Sequence, residues 1–441
     1  MPTSVSPAQQ AHCLATNRAV LFGSALGASL LALLGSASAQ TITVWGGYPE
    51  LVPFYQHVAE GMKAEYPNLV VNVESIALRE HEKRVALGVT SGEAADVIEM
   101  ATSTATRYLE NGLFATAPDE VAAYVKDPAN FDEFFTAAGS YQGTVHGVPL
   151  FRGQSAVYYN TDMFAAAGVT AVPTDMAQLT DVASKLTQRD ANGNPTVSGW
   201  SMRLSGGGQG IAEKFWINMF QYGGSLLEQT ADGKWRSHVA GEAGHSALKQ
   251  YLENVQTLKN VTVEMPADAE AFERGQTAMF IRESWVIGDI ATKAPDLKYA
   301  TATLPRGSIV APVSLWVTKT EGPEAEAAWA FAMESQKPEN LVWMLDNVGW
   351  LPNRLGLDYA DVLERKPAFK AFVNYPETYE FFTLPTIGPV EEILTRVAAR
   401  LTEAFGNPAL AGDEAAIDGV LTAMQDEVNS ILDREGLLAA E

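Results

Sequence analysis

The residues able to do chemistry are scattered along this sequence, and none falls into a strong catalytic pattern. Beyond residue 39 the histidines are His57, His81, His146, His238 and His245, with no pair at metal-ligand spacing and no H-E-x-x-H. Gly153-Gln-Ser155-Ala-Val opens like the turn that exposes a nucleophilic serine but lacks its last glycine. Gly206-Gly-Gly-Gln-Gly210 fits neither of the glycine-rich phosphate patterns and reads as a flexible loop, with ligand contact left open. Asp190-Ala-Asn192-Gly-Asn194 has oxygen ligands at calcium-loop spacing, but Pro195 and Ser201 stand where such a loop needs Gly and Glu. A plain turn is the better reading there. No metal or cofactor is expected.

Tryptophan is more informative. There are nine, and Trp45, Trp285, Trp316 and Trp350 lie next to glycine, proline or polar residues at expected strand ends. Trp329 and Trp343 sit inside helical apolar patterns and read as core. An aromatic face suits a sugar because the axial C–H groups of a pyranose form an apolar patch, while its hydroxyls seek charged or amide partners. Core packing explains any single tryptophan equally well.

The elements that would position these residues alternate. Thr41-Ile-Thr-Val-Trp45 is a β-branched strand stopped by Gly46-Gly47, and Leu51 to Tyr66 reads as a helix ended by Pro67-Asn68. Leu69 to Ser75 is a second strand, a helix runs through Val89, and Asp96 to Met100 is a short apolar strand. This order predicts α/β architecture with parallel sheets under helices. Two extended segments break it, Gly147-Val-Pro-Leu-Phe-Arg-Gly153 and Thr303-Leu-Pro-Arg-Gly307, the latter before a strand at Val313 to Thr318. Two crossings between the same pair of lobes would make a hinge. Helices are expected at Val390 to Phe405 and Asp413 to Asp433.

Residues 1–39 read as an export signal: Arg18, an uncharged apolar run from Ala19 to Leu34, then Ala37-Ser38-Ala39. The run is short for a membrane span, which needs about 20 apolar residues. About 400 residues then remain, enough for two cores. They contain no cysteine, so neither disulfides nor thiol chemistry are expected. A formal charge of −23 repels phosphate backbones and anionic lipid, which argues against a nucleic-acid partner.

Several segments together resemble the extracellular solute-binding proteins of carbohydrate ABC importers, the group that contains the maltose-binding protein. Val148-Pro-Leu-Phe with Ala156-Val-Tyr-Tyr-Asn160-Thr-Asp-Met-Phe-Ala-Ala-Ala-Gly168 is similar to one family signature. Ala271-Phe-Glu-Arg-Gly-Gln-Thr-Ala-Met279 through Trp285 is similar to another. Asp96-Val-Ile with Leu109 to Leu113, Gln221-Tyr-Gly-Gly224 and Val348-Gly-Trp-Leu-Pro352 follow in the family's order. The resemblance implies a two-lobed periplasmic-binding-protein fold with hinge strands and a ligand cleft between lobes. Residues 41–150 and 308–352 would form the N-terminal lobe, and 153–304 with 353–441 the C-terminal lobe.

It also implies cleft positions. Trp285 falls at the sugar-stacking position, and Phe215 and Trp216 precede a turn near another cleft aromatic. Trp45, Gly47 and Tyr48 match the loop after the first strand, Met100, Thr102 and Ser103 a cleft-lining loop, and Arg152, Gly153 and Gln154 the hinge loop. Trp316 and Trp350 join these as candidates from tryptophan placement. Glu283-Ser284 replaces a glycine common in the family, and Ser314-Leu-Trp316 stands where small residues are frequent. Arg152 or Arg282 near the cleft would suit an anionic ligand as well as vicinal hydroxyls.

The function expected is binding without chemistry: a monomeric periplasmic receptor that closes on a sugar and meets an ABC permease. A non-sugar solute such as a polyamine or metal chelate is the alternative in the same class. A secreted glycan-active enzyme is the rival from another, and it would need two carboxylates across a cleft. Because the only cysteine, Cys13, precedes the apolar run, the exported protein is expected to begin near Gln40 without lipid. Mass spectrometry of the processed protein checks this, and an acylated N-terminal cysteine would overturn it.

Overall fold

The first strand, Gln40–Gly46, pairs in parallel with Leu69–Ser75 along its whole length and with Val97–Ala101 through Val44 and Trp45. Helices Val52–Met62 and Leu78–Ser91 are the crossovers between them. Pro53 opens the first helix, where a missing N–H costs nothing, and Gly92 in a left-handed conformation (φ 76°) closes the second. The structure, a computed structural model, describes residues 40–205, 208–266, 268–319 and 321–440. The expected export signal at 1–39 and the glycines Gly206 and Gly207 lie outside the described residues.

Beyond the third strand the long pairings are antiparallel, although Gly307–Val317 also pairs in parallel with Glu380–Phe382. The two extended segments expected from glycine and proline are parts of longer elements, or lead into them. Gly147–Asn160 and Gly307–Val317 are continuous strands, and they pair with each other antiparallel from Val310↔Gln154 to Trp316↔Gly147, with a bulge between Val313 and Ser314. The outer flank of Gly307–Val317 pairs antiparallel with Val97–Ala101. The far end of Gly147–Asn160 pairs antiparallel with Met279–Glu283 and Tyr299–Ala302. The sheet is therefore mixed, in the order Met279–Glu283, Gly147–Asn160, Gly307–Val317, Val97–Ala101, Gln40–Gly46, Leu69–Ser75.

Each half of this shared sheet has its own core. Ile42, Phe54, Leu315, Phe331 and Met344 belong to one, with Trp45, Ile98 and Trp316 packed on the opposite sheet face. Trp200, Phe215, Trp216, Leu394 and Leu421 belong to another, with Tyr158, Phe272, Phe280 and Phe372 beside it. Helices Val390–Phe405 and Glu414–Arg434 lay their apolar stripes on the second core, and the Asp413 carboxylate caps the last one by accepting the Ala416 N–H at 3.0 Å. Asp190 accepts the N–H groups of Asn192 and Asn194, both at 2.9 Å, inside a hairpin between Gln188–Arg189 and Pro195–Val197. The calcium-like spacing is that of a turn.

The crossing strands approach closely at Gly147. A Cβ there would stand 2.6 Å from the fully buried Trp316 ring. Gly147→Ala is expected to destabilise the protein by about 1–3 kcal/mol, the usual cost of forcing atoms into a packed core. Chemical denaturation checks this, and an unchanged midpoint would refute the close fit.

Candidate functional site

Where the first strand ends, the chain turns sharply. Gly47 donates its N–H to the buried Glu99 carboxyl at 2.8 Å, and a Cβ at Gly47 would lie 2.9 Å from both His81 and Leu78. Only glycine fits, and the turn it allows sends Tyr48 and Glu50 toward the crossing strands. Tyr48 meets Phe151 edge-on at 5.3 Å and Trp350 at 5.2 Å. Trp350 donates its indole N–H to Glu50 at 3.1 Å and lies 6.5 Å from Trp285. Trp285 precedes helix Val286–Lys293, with the Arg282 guanidinium 5.3 Å over its ring. Four aromatic rings from four segments thus meet at one place.

Charged groups border them. Gly153 leaves room on the crossing strand, since a Cβ there would touch Glu283 at 3.4 Å and Trp350 at 3.8 Å. Glu283 takes the Lys214 ammonium at 2.7 Å, Arg282 at 2.6 Å and the Ser155 hydroxyl at 3.3 Å. Arg282 also meets Asp268 at 2.6 Å, and Asp268 meets Arg203 at 2.9 Å. Burial alone would raise the Glu283 carboxyl, but Arg282 and Lys214 together hold it well below the usual carboxylate range. Burial pushes Glu50 the other way, upward, only partly opposed by the Trp350 N–H.

Elements from the two cores touch around this cluster. Arg79, on helix Leu78–Ser91, donates to Gln209 at 2.9 Å, at the start of helix Gln209–Gln221. Arg107, on helix Thr102–Glu110, pairs with Glu391 on helix Val390–Phe405. The rings and ion pairs therefore lie where elements of the two cores are in contact. A separate groove of about 870 Å³, lined by Met62, Tyr66, Trp329 and Glu334, lies at the opposite end of the first strand.

The profile of the bacterial extracellular solute-binding protein family matches residues 58–371. This chain belongs to that family. It is 26% identical over 305 residues to the lactose-binding protein of Rhizobium radiobacter, covering 65% of this chain and 66% of that one. Its fold matches UgpB from Mycobacterium tuberculosis, solved with glycerophosphocholine, at a TM-score of 0.75 and 16% identity over 90% of this chain and 100% of the other. The GacH receptor of Streptomyces glaucescens, solved unliganded and with acarbose, matches at 0.74 and 19% identity over 90% and 99%. The architecture is thus the two-lobed one of periplasmic binding proteins.

In this solute-binding protein the expected cleft residues separate into two groups. Tyr48, Gly153, Trp285 and Trp350 come together, with Gly47 shaping the loop. Arg152 and Gln154 point to the other face of the same strand: Arg152 bonds the Pro352 carbonyl and lies 5.5 Å over Phe135, and Gln154 donates to the Phe372 carbonyl at 2.9 Å. The Arg152 guanidinium, expected to face the ligand, thus lies on the strand face opposite the one that Gly153 shares with the rings. Trp45 turns away under Arg84, and Trp316 is sealed in the core, stacked on Phe114 and donating to the Met100 carbonyl at 3.0 Å. Met100 is buried beside them, Thr102 donates to the Ala138 carbonyl at 2.8 Å, and Ser103 is half-buried at its helix start. Phe215 and Trp216 lie inside the second core, against Tyr251 and Phe382.

Glu50, Lys214 and Asp268 were not among the residues expected at the cleft. Lys214 carries a weak signal, as a cation that follows Glu213 and opens the apolar run Phe215-Trp216-Ile217. With its carboxyl depressed, Glu283 adds stability that is complete above about pH 4.3 and lost as pH falls toward its folded value. Glu283→Gln leaves two buried cations short of a partner and is expected to cost about 3–5 kcal/mol near neutrality. Melting temperatures across pH check this: the gap to wild type should narrow below about pH 4, and a gap independent of pH would refute the network.

Proposed function

We propose that this chain is the substrate-binding component of an ABC importer, capturing a sugar or sugar derivative between its lobes and presenting it to the permease. The observation that carries this reading is the meeting of Tyr48, Trp285 and Trp350 with Glu50, Arg282 and Glu283 where the two cores touch. Aromatic faces beside charged hydrogen-bonding groups suit a ligand with apolar C–H faces and many hydroxyls. The lactose and acarbose bound by relatives are ligands of that kind.

Charge refines the reading. Arg79, Arg107, Arg203, Lys214 and Arg282 each face a carboxylate, so the cleft offers donors with little positive charge to spare. A neutral ligand fits this better than a phosphate or carboxylate. The same pairing weighs against glycan cleavage, because both Glu283 oxygens are occupied by cations and a second carboxylate opposite Glu50 is not free to act.

In this reading residues 41–150 with 308–352 form one lobe and 153–304 with 353–441 the other; the two largest cores support it, while Leu345 and Leu351 pack with Phe280 and Phe372 across the boundary at 352. Ligand touches both lobes only when they close, so its binding free energy shifts the population toward the closed form that a permease recognises. The protein works as a monomer in the periplasm after cleavage near Ala39. Lactose and malto-oligosaccharides are expected to raise the melting temperature, since they bind the native state alone, and to do so equally at low and high salt. Trp285→Ala should weaken the best ligand by about 1–3 kcal/mol in calorimetry. Turnover of an oligosaccharide, or unchanged affinity in a folded Trp285→Ala protein, would overturn the reading.

A further inference from the structure

Strand Val97–Ala101 carries one acidic side chain into the interior. Glu99 has no exposed surface and lies beneath the turn that presents Tyr48, with one carboxyl oxygen accepting the Gly47 N–H and the other bonded to the Tyr55 hydroxyl. Buried carboxylates ordinarily face a cation. Among the described residues Glu99 makes no ion pair.

Its surroundings supply no positive charge. Helix Val52–Met62 presents Tyr55, the turn presents Tyr48 and Glu50, and helix Leu78–Ser91 presents His81. The His81 Nε2 is 2.8 Å from the Glu99 carbonyl oxygen, which can only accept, so that nitrogen bears the hydrogen. Its buried Nδ1 has no partner, and burial lowers the ring's pKa, so the imidazole is neutral. Arg79 pairs with Glu82, Arg84 pairs with Glu74 over the Trp45 ring, and across the sheet Glu99 faces Leu315.

We propose that Glu99 is the positioning residue of the ligand cleft: protonated, it holds the Gly47–Tyr48 turn so that Tyr48 meets Phe151 and Trp350, and its ionisation releases that turn and weakens ligand capture. This rests on the cleft being the ligand site. Burial pushes the Glu99 carboxyl up to about 8, against the Tyr55 hydroxyl and the Gly47 N–H, which favour the charged form, and with Glu50 adding to the rise. An ionised carboxylate with no cation beside it draws in water, and water reaches it by lifting the turn above it. The acid form needs no such opening, because a carboxylic O–H and the Tyr55 hydroxyl can share one hydrogen bond.

Glu99→Gln keeps the shape and the acceptor for Gly47 but cannot ionise. Hydrogen exchange of the ligand-free protein, read on the peptide spanning the turn, tests the idea at about pH 6.5 and about pH 9. Wild type and Glu99→Gln should be equally protected at the lower pH. At the higher pH the wild type should exchange about tenfold faster than Glu99→Gln, the scale of one opened buried hydrogen bond. Lactose affinity measured by calorimetry should fall with pH in the wild type and stay flat in Glu99→Gln. Equal protection of the two proteins at both pH values overturns the proposal whether or not lactose binds. If exchange follows the expected order while no sugar binds, positioning of the turn stands and the assignment of the ligand falls.

Discussion

Everything in the cleft depends on two strands that belong to both halves of the molecule. Gly147–Asn160 and Gly307–Val317 run antiparallel, and each carries one end into a different core. Their hydrogen bonds fix where the halves meet, while the bulge between Val313 and Ser314 re-aims the side chains at the crossing. The first strand and Val97–Ala101 stack onto one end of this pair, and Met279–Glu283 onto the other. The turn at Gly47 and the end of Met279–Glu283 consequently open toward the same point. Strand ends in an α/β sheet are natural ligand positions, and here two sets of ends face each other.

The pleat of one strand then divides the labour. Phe151, Gly153 and Ser155 face the rings and Glu283, whereas Arg152 and Gln154 tie the reverse side to Pro352 and Phe372. Such an arrangement anchors the crossing on its back while its front meets the aromatic rings and Glu283. Gly153 keeps this front open, and an added Cβ would stand in ordinary contact with Glu283 and Trp350.

The fold was largely legible in the residues. Strand Leu69–Ser75 and helix Val390–Phe405 fall where their patterns put them, because both are periodic and bounded by clear stop signals. The strand reversal was not legible, since an apolar segment such as Val313 to Val317 has the same composition in parallel and antiparallel sheets. The ring cluster was legible in part. Trp285 and Trp350 were marked by their polar and glycine neighbours, but Trp45 and Trp316 carry the same mark and turn into the core. Neighbour composition shows that a tryptophan sits at a strand end, and only the pleat decides which face it takes. The ion pairs were hidden for another reason: Lys214, Asp268 and Glu283 are distant in sequence and acquire meaning only when folding brings them within 3 Å or less.

That network also explains how a cleft can be polar and still ordered before ligand arrives. A carboxylate has about four acceptor directions, and Glu283 uses three of them on Lys214, Arg282 and Ser155. Arg282 is held from two sides by Glu283 and Asp268, so its plane over Trp285 is set without ligand. Groups fixed in this way lose little freedom on binding, and their entropy cost is met during folding rather than during capture. A flexible lysine or glutamate at the same positions would have to be ordered by each ligand in turn. The buried charges are costly to desolvate, but that cost is shared among matched pairs, and what remains is a set of fixed donors and acceptors beside aromatic faces.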